Sequence, residues 1–82
     1  MKVIEHFVYR DGNDLKHHDI KLLEEGGAYA VLWGFRYLMD PIDTTLVPIP
    51  NCIDPTEFLD GMHKAFASKG LTCVPMSTEE VA

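Results

Sequence analysis

No apolar run in this chain approaches the roughly 18 residues that a membrane-spanning helix needs, so a helical bilayer anchor is not expected. Charge already falls within the first six residues, Met-Lys-Val-Ile-Glu-His, which predicts no signal peptide. Cysteine is scarce. Cys52 and Cys73 are the only two and form no Cys-x-x-Cys pair, which excludes a zinc ribbon and a dithiol redox motif and leaves reduced thiols in a cytoplasmic protein as the expectation. Basic residues are also few. Seven Lys and Arg stand against thirteen Asp and Glu, a net charge of −6 that repels nucleic-acid backbones and anionic membranes at long range. Gly26-Gly27 lacks the further glycines and the lysine of a phosphate-binding loop, and neither a nucleophile elbow nor a paired-carboxylate signature occurs. No cofactor is therefore called for.

What the sequence does have is an apolar fraction of 46% in 82 residues, enough for one small core. A chain of this size buries only about 60% of its unfolded surface, so each large apolar side chain counts. The heaviest stretch runs from Ala28 to Met39 and holds the single tryptophan. At period two, Tyr29, Val31, Trp33, Phe35, Tyr37 and Met39 share one face, and the smaller Ala28, Ala30, Leu32 and Gly34 share the other with Arg36 and Leu38. That pattern predicts a central strand, although Ala28, Val31, Leu32, Phe35, Leu38 and Met39 also recur at helical spacing.

Around it, Lys2 to Arg10 is rich in β-formers and stops at Asp11-Gly12-Asn13-Asp14, which predicts a first strand and a turn. From Asn13 or Asp14, Leu15, Ile20, Leu22 and Leu23 project onto a helical arc of roughly 160°. With a cap at the start and Gly26-Gly27 at the end, this predicts a helix over 14–25. The rival is a hairpin closed by Asp-Gly, with Leu15 to Leu23 returning as a strand. Thr44 to Ile49 is β-branched and interrupted by Pro48, a short strand. Asp54 to Lys69 carries the clearest helix signals: Asp54 as N-cap, Pro55 in the first turn, Glu57 three residues on, a stripe of Phe58, Leu59, Met62, Ala65 and Phe66, then Gly70. Leu71 to Pro75 reads as a last short strand. The order β, α, β, β, α, β predicts a ferredoxin-like α+β fold, a four-stranded antiparallel sheet with two helices on one face. One domain over 1–76 with a tail over 77–82 is expected.

Four histidines, His6, His17, His18 and His63, with Asp14, Asp19, Cys52 and Cys73, raise a metal site. Their spacing argues against it, because adjacent histidines on a helix point about 100° apart. The aromatic run Tyr29, Trp33, Phe35 and Tyr37 lacks the surrounding cations that base stacking would want, so core packing is the expectation. Two function classes follow. The first is a non-enzymatic binding or regulatory module, of the kind that includes small phage or mobile-element inhibitors of host proteins. It would use an acidic face of Asp19, Glu24, Glu25, Glu57 and Asp60 to meet a protein with a basic surface, and a homodimer is compatible with it. The second is a small dimeric α+β enzyme, isomerase or monooxygenase, with His6 and Tyr9 as acid and base, assisted by Asp19 or His63.

Overall fold

The computed structural model describes residues 2–13 and 15–76, so the expected tail over 77–82 lies outside them. Five strands and one helix follow in the order β1 (Lys2–Arg10), β2 (Lys16–Glu25), β3 (Ala28–Tyr37), β4 (Asp43–Ile49), α1 (Pro55–Ser68) and β5 (Thr72–Pro75). The sheet order is β4-β3-β2-β1-β5, and every neighbouring pair is antiparallel. The ferredoxin-like expectation is overturned: the protein is mostly β, a five-stranded sheet with a single helix.

The element that differs is the segment expected to be a helix over 14–25, which is β2, the middle strand of the sheet. Two turns decide it. Asp11 Oδ1 accepts from the Leu15 N–H at 2.8 Å, closing the first hairpin where a helix cap was expected. Gly26 and Gly27 both have positive φ, 59° and 85°, the backbone of a two-residue hairpin turn whose twist matches the strands it joins. Glu25 accordingly pairs with Ala28, and the ladder runs unbroken to Lys16 against Tyr37. The adjacent Leu22 and Leu23, which suggested a helical arc, are instead buried on opposite faces of one strand, at 4% and 8% exposure.

Strands β1 to β4 form a meander, and the chain then crosses the sheet through α1 to set β5 against β1. Since β4 opposes β3 and β5 opposes β1, the two edge strands run the same way, a connection that requires the helix between them. Helix α1 is bounded as its sequence demands. Asp54 Oδ1 accepts from the Thr56 N–H at 2.8 Å. At the other end Gly70, at φ 80°, lets the Gly70 N–H reach Ala67 O and the Leu71 N–H reach Phe66 O, a Schellman pair.

The helix buries Leu59 and Phe66 against Tyr9, Ile20, Leu22, Val31 and Ile49, with Trp33, Phe58 and Met62 half-buried around them. The heavy face of the central strand therefore lies under the helix as far as Phe35, whereas Tyr37 and Met39 are exposed. Cys73 lies on β5 and Cys52 follows β4 at the opposite edge, and both are free.

Candidate functional site

Alternation along the strands sends the chemistry-bearing residues to two different sides. His6 and Asp19 lie on the face that α1 leaves uncovered, where His6 Nε2 and Asp19 Oδ1 are paired. Tyr9 lies on the helix side, 2% exposed, with its hydroxyl hydrogen-bonded to His63 Nδ1 and its ring stacked on Phe66 at 4.4 Å. His6 and Tyr9 thus face opposite ways and are not brought to one substrate. Tyr9 ties β1 to α1 instead. Burial, with the Cys73 thiol beside it, raises its pKa well above the ordinary value, so the phenol stays protonated.

His17 and His18, expected on a solvent-facing helix, are neighbours on β2 and so lie on opposite faces. His18 is half-buried in an aromatic nest, 4.8 Å from the Phe35 ring, 4.8 Å from Phe66 and 5.8 Å from Trp33. The Trp33 Nε1–H donates to His18 Nδ1 at 3.1 Å. Burial, then the charges of Lys69 and Lys16, hold the His18 pKa below its usual 6.5. Asp14 falls outside the described residues. Among the described residues, no group of three or more His, Cys, Asp or Glu side chains is placed to hold a metal ion.

The five carboxylates of the expected acidic face are dispersed. Asp19 is on the uncovered face, Glu24 is on the helix-side alternation of β2, Glu25 stands at the glycine turn, and Glu57 and Asp60 are exposed on α1.

The uncovered face is itself divided. One cross-strand row, Val3, Leu23, Ala30 and Pro48, is wholly apolar, and the next adds Leu32 and Leu46, the latter 50% exposed. At the other end the row Thr72, Arg10, His17 and Arg36 is cationic. Arg36 Nε is buried there without a hydrogen-bond partner among the described residues. Between the two ends lie Lys21 and the His6–Asp19 pair, and Ile42 folds back over Gly34, where an added Cβ would come 3.1 Å from Ile42 Cγ2. Sequence reading missed this division because it depends on register. Its one visible signal was the small, mostly apolar alternate face of β3.

The two perturbed groups give the protein an acid and an alkaline limit. An unfolded His18 takes up a proton near pH 6.5 while the folded ring resists it, so stability falls as the pH drops below about 6.5. An unfolded Tyr9 loses its proton near pH 10 while the folded phenol keeps it, so stability falls as the pH rises above about 10. Urea midpoints measured from pH 5 to 11 should show a shallower acid limb for His18→Phe and a shallower alkaline limb for Tyr9→Phe. An acid limb unchanged in His18→Phe would mean that the folded ring is not held neutral.

Among the described residues the fold is that of a small antiparallel sheet backed by one helix, with one sheet face uncovered. No helix among the described residues is long and apolar enough to cross a membrane. No family model matches the chain, and no curated protein or solved structure matches it.

Proposed function

We propose that the protein is a non-enzymatic binding module acting through protein–protein contact, with the uncovered sheet face as its docking surface. The observation that carries this reading is the division of that face. An apolar end around Leu32, Leu46 and Pro48 supplies area to bury, and a cationic end supplies the charges of Arg10 and Arg36. The partner that fits is a protein surface with an apolar strip flanked at one end by carboxylates. The dispersed acidic residues on α1 are the weaker candidate, because exposed charges speed encounter but add little affinity. Strand addition at an edge is also disfavoured, since Pro48 interrupts β4 and β5 is only four residues long and ends in Pro75.

A photo-crosslinking amino acid at Leu32, produced in the organism that makes the protein, should yield a discrete protein adduct, and the same group at Asp60 should not. Adding Leu46→Asp or Arg36→Glu to the Leu32 probe should reduce that adduct at least about tenfold, as for the loss of an interface anchor. An adduct of twice the chain mass would identify the partner as a second copy. Adducts arising only from Asp60, or unaffected by Leu46→Asp, would refute the assignment of this face.

A further inference from the structure

On the opposite side of the sheet, α1 does not cover β2 and β3 completely. Its C-terminal half leaves a groove of about 460 Å³ lined by Trp33, Phe35, Phe66 and Met62, with His18 and Lys69 at one end. A second hollow of about 340 Å³ shares His18, Phe35 and Lys69 and adds Lys16, Leu71 and Asp11. The combined space lies within the range that accommodates small organic ligands.

The polar end of this groove has a defined hydrogen-bonding sense. Because the Trp33 indole donates to His18 Nδ1, that nitrogen is an acceptor, and the neutral ring carries its proton on Nε2. His18 Nε2–H has no partner among the described residues. Two ammonium groups, Lys16 and Lys69, stand beside it. Among the described residues lining this end, the one carboxylate, Asp11, already accepts from the Leu15 N–H through Oδ1. A chain of net charge −6 thus gathers two cations and, among the described residues, an unpaired N–H donor at the mouth of an aromatic slot.

We propose that this groove binds a small aromatic carboxylate, its ring against Trp33, Phe35 and Phe66 and its carboxylate held by His18 Nε2–H, Lys16 and Lys69. Each part of the site selects one part of the ligand. Aromatic walls, with Trp33 and Phe66 set edge-on to each other, favour a planar ring, and a carboxylate accepts from an N–H and from ammonium groups at once. A neutral aromatic would forgo the charge-assisted bonds, and inorganic phosphate would leave the aromatic walls unused. The lowered pKa of His18 is consistent with this arrangement, since it keeps the ring in the form whose Nδ1 accepts from Trp33.

Trp33 is the only tryptophan, so its indole N–H resonance in the nitrogen-15-labelled full chain reports on the groove alone. Titration with 2-naphthoate should shift that resonance saturably. The neutral analogue 2-naphthylmethanol should bind at least about tenfold more weakly, as expected for losing a charge-assisted hydrogen bond. Lys16→Ala combined with Lys69→Ala, both at exposed positions, should weaken 2-naphthoate by a similar factor while leaving the melting temperature close to that of the parent. The proposal is overturned by the absence of a saturable shift, by equal affinity for the alcohol, by inorganic phosphate alone reproducing the shift, or by unchanged binding in the double variant. The alcohol comparison needs no variant and decides the question even if the double substitution disturbs folding.

Discussion

Replacing Phe66 with alanine should cost about 3–5 kcal/mol, the range for removing a buried phenylalanine. Phe66 is 8% exposed and is where the helix meets the sheet's aromatic residues. It stacks on Tyr9 at 4.4 Å, lies 4.8 Å from His18 and meets Trp33 edge-on at 6.2 Å. Among the described residues α1 is the one helix on the sheet, so no second helix there can close over the cavity that alanine would leave. Domains of this length have a total stability of roughly 4–12 kcal/mol, so the loss would remove a large part of it. Urea denaturation should place the Phe66→Ala midpoint far below that of the parent, and Phe66→Leu, which keeps most of the volume, should fall between them. A loss under about 1 kcal/mol would mean that α1 is not held to the sheet through this residue.

The parts of the fold that the sequence announces are those specified locally. Asp54, Pro55 and Gly70 act within a turn of their own backbone, and α1 begins and ends where they require. The alternation from Ala28 to Phe35 likewise survives as β3, because one heavy face must be buried whatever covers it. The segment after Asn13 was ambiguous for a physical reason. Leu15, Ile20, Leu22 and Leu23 satisfy a helical arc, yet in the middle strand adjacent leucines can be buried on opposite faces, as Leu22 and Leu23 are. Only pairing with β1 and β3 distinguishes the two, and pairing is not a local property. The candidate sites were illegible for the same reason. His18 and Trp33 are 15 residues apart and Tyr9 and His63 are 54 apart, and each pair meets only once the register is set. Placing His17 and His18 on a helix also concealed that one of them enters the aromatic nest. The expected arrangement of the acidic residues beside two helices changes with the missing helix, since Asp19 lies on the face away from α1, which carries Glu57 and Asp60.

Substituting valine for both Gly26 and Gly27 should destabilise the protein by about 3 kcal/mol or more, because left-handed backbone costs a non-glycine residue roughly 1–2 kcal/mol and β-branched side chains fare worst there. No atom lies within 4 Å of a Cβ added at either position, so the penalty would come from backbone conformation and not from a clash. The test separates the two readings of this segment. A helix followed by two glycines needs only one of them left-handed, at the residue after the cap, so a single substitution at the other position would be nearly neutral. The two-residue hairpin turn requires positive φ at both, so Gly26→Val and Gly27→Val should each be costly, and roughly additive if neither rearranges the turn. Gly26→Asn, by contrast, should keep near-parental stability, since asparagine tolerates the left-handed region and an Asn-Gly pair suits this turn. Thermal melts of the three single variants decide the matter. One costly position and one neutral position would favour the helix, whereas two positions costly to valine, with asparagine tolerated at the first, would fix β2 and β3 as a hairpin, and with it the register that divides the uncovered face.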